Sequence, residues 1–103
     1  MEIGTSQHKQ EFLHNLTKTY QENIWISELG ILEFENLLGS LRKQRAEADL
    51  KLENKEFKSA GEGRKETARL EADIESTQAA IARKHHEKQF AQKRIDLIKQ
   101  YQA

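Results

Sequence analysis

Apolar residues recur along the first half of the chain at alternating steps of three and four residues. The repeat consists of Leu13, Tyr20, Ile24, Ile31, Phe34, Leu38, Leu41, Ala48 and Leu52, with Thr17, Ser27 and Arg45 at its polar gaps. This spacing places the side chains on one side of an α-helix. Because the chain also lacks proline, we predict a helix over about residues 7–58, capped by Thr5 or Ser6 after a frayed segment 1–5.

The second half carries a shorter stripe of the same kind, interrupted at residues 83–89, which are polar on every face. The stripe consists of Leu70, Ile74, Thr77, Ile81, Ala91, Ile95 and Ile98, flanked by Phe90, Leu97 and Tyr101. Before it, Gly61 and Gly63 lie within residues 59–63, a pattern typical of a chain reversal. We predict a turn at 59–63 and a helix over about 64–102. The fold class is a single all-α domain, a long antiparallel helical hairpin resembling a coiled coil.

Two glycines fall inside the first predicted helix. Gly30 and Gly39 each cost roughly 1 kcal/mol in a helix interior, so they either bend the helix or allow another helix to approach closely. A break in the helix near Gly39 and Ser40 is the main alternative.

The charge pattern suggests how the two helices align. A reversal about Gly61–Gly63 brings residues level whose numbers sum to about 124. The pairs are Phe34 with Phe90, Leu29 with Ile95, Ile26 with Ile98 and Leu50 with Ile74. In this register the segment 22–36, with four glutamates and no basic residue, faces 88–102, with four basic residues and one aspartate. The apolar and charge patterns therefore favour the same register.

The first helix carries more apolar residues than one partner helix can cover. Trp25, Ile26, Leu29 and Leu32 lie opposite the main stripe, and Phe12, Leu13 and Leu16 extend beyond the end of the second helix. Exposed apolar patches of this size usually mark an interface. We expect self-association, most simply a two-fold dimer forming a four-helix bundle around residues 24–41, or docking of a helical protein partner. The predicted interface residues are Phe12, Leu13, Leu16, Trp25, Leu29, Leu32, Phe34 and Leu38.

The basic segment 83–99 raises an alternative function, contact with nucleic-acid phosphates. The candidate residues are Arg83, Lys84, Lys88, Lys93 and Arg94. Pairing of these cations with the acidic segment 22–36 competes with phosphate binding and is the favoured interpretation. The 17 basic and 17 acidic residues of the whole chain cancel, so no overall field points to an anionic partner.

Candidate chemistry is sparse. Glu11 and His14 have the spacing that puts two metal ligands on one helix face, but their apolar neighbours Phe12 and Leu13 favour ordinary surface residues. His85 and His86 are consecutive and point about 100° apart on a helix, so they cannot chelate one ion. We predict no catalytic, cofactor or metal site and expect a non-enzymatic protein.

The remaining composition bears on location. The chain has no cysteine, and its first residues lack the basic and apolar regions of a signal peptide. The longest apolar cluster, residues 24–41, is interrupted by three glutamates and is too polar to span a membrane. These features lead us to expect a cytoplasmic scaffold, adaptor or assembly component.

Overall fold

The computed structural model describes residues 2–102, with side chains described from residue 6 onward. Helix α1 spans Glu2–Glu53 and helix α2 spans Ala60–Gln102, with no strand within 2–102. The two helices run antiparallel and pack against each other, which confirms the predicted all-α helical hairpin. Helix α1 continues through Gly30 and Gly39, so the alternative break near Gly39 and Ser40 is wrong.

Helix α1 begins earlier than predicted. Residues 2–5 are helical, and Thr5 and Ser6 lie inside the helix instead of capping it. The predicted frayed segment 1–5 is therefore wrong for residues 2–5, while Met1 lies outside the described residues. Once a helix has formed, each added residue contributes a hydrogen bond without a new nucleation cost, and nothing in this segment blocks extension.

The chain reverses at residues 54–59, just before the predicted turn at 59–63. Lys55 has a φ of 57°, in the left-handed region. The N–H of Glu56 donates to the carbonyl of Lys51 at 2.9 Å, and the N–H of Lys55 donates to that of Leu52 at 3.2 Å. These two bonds form a Schellman motif, which satisfies the last carbonyls of α1. Lysine occupies the position that glycine usually takes.

Helix α2 starts with a side-chain cap. The Oγ of Ser59 accepts a hydrogen bond from the N–H of Glu62 at 3.1 Å, as an N-cap serine does, and the two residues have capping-box spacing. The carboxylate of Glu62 also lies in the first turn, where the helix dipole favours negative charge. Gly61 and Gly63 are consequently helical, and their predicted role in reversing the chain is wrong.

Contacts divide the chain into two compact units, each with its own core. The terminal unit combines the chain up to Gly30 with the chain from Lys84 onward, and the turn unit is Ile31–Arg83. The terminal core consists of Ile24, Ala91 and Ile95, with Tyr20 packed against it. The turn core consists of Leu41, Ala48 and Leu70, with Phe57 and Ile74 packed against it. Apart from Phe57, all of these residues belong to the predicted stripes, and the other stripe positions are buried or half-buried as well.

The register differs from the prediction in both units. The contacts that define it are Glu28–Lys88 and Gly30–Lys84 in the terminal unit, and Arg45–Glu71 and Leu52–Gly63 in the turn unit. The residue numbers of these pairs sum to 114–116, so the predicted sum of about 124 is wrong. The residues Ile26, Leu29, Leu50 and Phe90, which the predicted register places between the helices, are exposed. The physical reason is the position of the reversal, which is centred near residue 57.

Candidate interaction surfaces

Two lysines continue the interface between the helices through the polar segment 83–89. The aliphatic stem of Lys84 covers Gly30, with its Cδ 3.3 Å from where a Cβ on that glycine would lie. Lys88 is half-buried, and its Nζ lies 3.3 Å from Oε1 of Glu28. Long basic side chains can bury their stems while their charged ends stay in water. The Lys88–Glu28 contact agrees with the predicted pairing of these cations with the acidic segment 22–36. The position of the two lysine stems between the helices was not predicted, although their spacing from Ile81 and Ala91 continues the repeat.

The residues predicted to contact phosphates are largely engaged within the chain. Besides the contacts above, the Nζ of Lys84 lies 3.3 Å from Oε2 of Glu87. The guanidinium carbon of Arg94 lies 5.3 Å from the centroid of the Phe90 ring, within cation–π range. Lys93 is exposed but points about 100° away from Arg94, its neighbour in sequence. Arg83 is also exposed. This arrangement gives a phosphate surface little support.

The predicted interface residues divide into two groups. Phe12, Trp25, Leu29 and Leu32 are exposed, whereas Leu13, Leu16 and Phe34 are half-buried and Leu38 is buried. Leu38, one of the predicted interface residues, is not accessible to a partner of the hairpin, because its position in the repeat faces inward. The prediction that the stripe containing Trp25 stays uncovered is confirmed: Trp25 and Leu29 are both 58% exposed. These two residues form the outer face of α1, on the side of the helix away from α2.

A second apolar surface is an open groove between α1 and α2 of the terminal unit. One segment of the groove includes Tyr20, Ile26 and Phe90. The next segment again includes Tyr20 and continues past Leu97 and Tyr101. The four side chains Ile26, Phe90, Leu97 and Tyr101 are each 54–63% exposed. We call this surface the terminal groove.

The terminal groove was not predicted as a surface, although its α2 side has a sequence signal. Phe90, Arg94, Leu97 and Tyr101 follow one another at steps of four, three and four residues, so they share one face of α2. The three apolar members were predicted only as flanks of the buried stripe. At the end of the groove, the Nζ of Lys9 lies 4.1 Å from the centroid of the Tyr101 ring, which links the two helices through a cation–π contact.

The turn unit presents ion pairs along its exposed surface. Arg45 contacts Glu71 on the other helix at 2.6 Å and Asp49 at 3.2 Å. The hydrogen bond to Glu71 is the main cause that raises the pKa of the Arg45 guanidinium. Arg69 contacts Glu66 at 2.6 Å and Asp73 at 3.1 Å, and its hydrogen bond lowers the pKa of the Glu66 carboxyl. Both pKa shifts favour the charged forms of the groups concerned, the Arg45 guanidinium and the Glu66 carboxylate.

Neither a metal site nor a membrane span is found among the described residues. Glu11 and His14 are exposed, and within residues 6–102 no three histidine, aspartate or glutamate side chains lie close enough together to hold a metal ion. Over residues 2–102, neither helix has a stretch long and apolar enough to cross a membrane. The chain matches no protein-family profile, no curated protein sequence and no solved structure.

Proposed function

We propose that the protein is a non-enzymatic assembly module, a scaffold or adaptor that acts by self-association through helix–helix packing. The observation that carries the proposal is the amount of apolar side chain left exposed by the hairpin, on the outer face of α1 and in the terminal groove. Exposed surfaces of this kind on soluble proteins usually mark sites of protein–protein contact.

The driving force would be burial of these side chains against the helices of a second copy. Each Å² of apolar surface removed from water contributes about 25 cal/mol. A hairpin buries only the facing sides of its two helices, whereas two hairpins stacked face to face form a four-helix bundle with a shared core. The formal net charge of zero means that two copies do not repel each other through their overall charge.

Solution mass tests this function directly. Sedimentation equilibrium across micromolar concentrations should give a mass that rises with concentration to at least twice the 12.0 kDa of one chain. Because the force is apolar, the association should persist at high salt, which screens contacts between exposed charges. A single species of one-chain mass over the whole concentration range would contradict self-association. The remaining alternatives would then be a different helical protein as the partner or contact of the basic segment 83–99 with nucleic acid.

A further inference from the structure

We infer that the hairpin has a second register, in which α2 is displaced by one heptad along α1 and the chain reverses near Gly61. In the observed register, residues that lie level on the two helices have numbers that sum to about 115. A displacement of one heptad raises this sum to about 122 and moves the centre of the reversal from near residue 57 to near residue 61. The inference goes beyond the proposed self-association and does not depend on it.

A displacement of one heptad keeps the same faces of the two helices in contact. Each buried position is replaced by the next equivalent position of the same stripe, because the three-four repeat has a period of seven residues. In the terminal unit, Ser27 is level with Lys88 in the observed register and would be level with Ile95 in the shifted one. In the turn unit, the partner of Leu52 would change from Gly63 to a leucine.

The shifted register pairs apolar residues at least as well as the observed one. In the observed register, the level pairs with two apolar members are Tyr20–Ile95, Ile24–Ala91, Phe34–Ile81 and Leu41–Ile74. In the shifted register, they would be Ile24–Ile98, Ile31–Ala91, Leu41–Ile81, Ala48–Ile74 and Leu52–Leu70. Burial of apolar side chains is the main force that holds two helices together. The stripes therefore favour neither register strongly.

The ion pair between Glu28 and Lys88 has a counterpart in the shifted register. Glu35 follows Glu28 by one heptad, so it takes the place of Glu28 opposite Lys88 when α2 is displaced. The observed contact of 3.3 Å between these groups shows that a glutamate at this position reaches the lysine. The contact of Arg45 with Glu71 would be lost. Because exposed ion pairs stabilise a fold only slightly, the charges are compatible with both registers.

The two reversals place different demands on the chain. The observed reversal holds Lys55 at a φ of 57°, where a Cβ is unfavourable. It also keeps Gly61 inside α2, where a Cβ would have only ordinary contact, 3.8 Å from Oγ of Ser59. A reversal near Gly61 returns Lys55 to α1 and removes Gly61 and Gly63 from a helix, in which glycine is unfavourable. In exchange, Phe57 leaves the turn core and Ser59 no longer caps α2.

The displacement would change the apolar surface of the terminal unit. One heptad of helix is about 10 Å long, so the ring of Tyr101 would leave Lys9, whose Nζ now lies 4.1 Å from its centroid. Leu13 and Leu16 are half-buried beside α2 and would extend beyond its end. A partner that binds these two leucines would stabilise the shifted register, because a ligand favours the state that it binds better. The register therefore controls how much of α1 is available for contact.

Disulfide trapping can detect the second register, because the chain has no cysteine of its own. Ile24→Cys/Ala91→Cys gives the reference value for the observed register, since both residues belong to one core cluster. Ile24→Cys/Ile98→Cys reports the shifted register. Ile24→Cys/Lys84→Cys is the matched control, because Lys84 and Ile98 lie one heptad to either side of Ala91. A disulfide requires Cα atoms within about 7 Å, so in the observed register neither Lys84 nor Ile98 suits a bridge to Ile24.

The measured quantity is the equilibrium constant for forming a disulfide within one chain in a glutathione buffer. Mass spectrometry selects species of one-chain mass, so bridges between copies do not contribute. The constant for Ile24→Cys/Ile98→Cys should exceed that of the control by about tenfold or more. Ile31→Cys/Ala91→Cys reports the same register further from the chain end and should show the same excess. Values equal to the control for both reporters would overturn the inference and leave the proposed self-association, which solution mass tests separately, unaffected.

Two substitutions at the glycine pair distinguish a shifted register from fraying near Ile98. Gly61→Ala favours the observed start of α2 and should lower the constant for Ile24→Cys/Ile98→Cys by about fivefold. Gly63→Ala places a Cβ 2.5 Å from Cδ1 of Leu52 in the observed register, so it should raise that constant by about threefold or more. Fraying would respond to neither substitution. Constants that do not change in these opposite directions would overturn the inference, and far-UV circular dichroism checks that each variant keeps its helices.

Discussion

The turn unit and the terminal unit follow the same three-four repeat, yet different kinds of residue lie beside their cores on α2. In the turn unit, Phe57 and Ile74 pack against the core, and the neighbouring surface of α2 carries ion pairs such as Arg69–Glu66. In the terminal unit, one side of α2 beside the core carries Phe90, Leu97 and Tyr101, and all three remain exposed. The buried stripe therefore determines how the two helices pair, while the residues beside it on α2 determine whether that side of each unit is polar or apolar.

Truncation of core residues should give the largest difference between the two units in the loss of unfolding free energy. Leu70 is 1% exposed in the turn core, and Leu70→Ala should lower the free energy of unfolding by about 2–5 kcal/mol because a cavity forms among packed neighbours. Ile98 borders the open terminal groove. Ile98→Ala should lower the free energy of unfolding by less than Leu70→Ala does, since nearby side chains and water can fill the space. Urea unfolding of dilute protein measures both. Equal losses would show that the terminal unit is packed as completely as the turn unit.

Replacing glycine by alanine should also affect the two units differently, with smaller changes in the free energy of unfolding than the core truncations give. A Cβ on Gly63 would lie 2.5 Å from Cδ1 of Leu52 and 2.7 Å from Cδ2 of Phe57. Gly63→Ala should therefore destabilise the turn unit by about 1–3 kcal/mol through overpacking. On Gly30 of the terminal unit, the nearest atoms are 3.3 Å away on the flexible stem of Lys84.

Gly30→Ala should consequently change the stability by less than about 0.5 kcal/mol, because the better helix propensity of alanine offsets a small shift of the lysine. Gly39→Ala is the control for propensity alone, since its Cβ would meet no atom within 4 Å, and it should stabilise by up to about 1 kcal/mol. In thermal unfolding, the midpoint temperature should be highest for Gly39→Ala, intermediate for Gly30→Ala and lowest for Gly63→Ala. A tolerated Gly63→Ala would show that the packing near the turn is loose.

The helices and their buried stripes were predictable because they depend on a local period that many residues repeat. The register was not, because it followed from the assumed reversal at Gly61–Gly63, and the charges that supported it fit two alignments equally well. In the predicted register the acidic segment 22–36 faces 88–102, and in the observed register it faces about 79–93. Each of these segments carries four basic residues and one acidic residue. Charge complementarity could therefore not distinguish alignments that differ by nine residues.

The turn was misplaced because glycine was taken as the signal for reversal. The available signal was the capping-box spacing of Ser59 and Glu62, which places the helix start before Gly61. Gly63 is instead glycine because Leu52 and Phe57 leave no room for a side chain. The left-handed residue that ends α1 is Lys55, and no sequence rule favours a lysine there. Its conformation accompanies the two Schellman hydrogen bonds that close the end of α1.

The smallest change in the free energy of unfolding should come from a substitution of Lys55 that relieves its left-handed conformation. This change should be confined to the turn unit. Lys55→Gly should raise the free energy of unfolding by about 0.5–1 kcal/mol, because glycine adopts positive φ without a Cβ clash but loses more chain entropy on folding. Lys55→Ala removes the same charge and keeps the Cβ, so it should give no gain. Chemical unfolding measures both, and equal stabilisation by the two variants would assign the effect to charge instead of backbone.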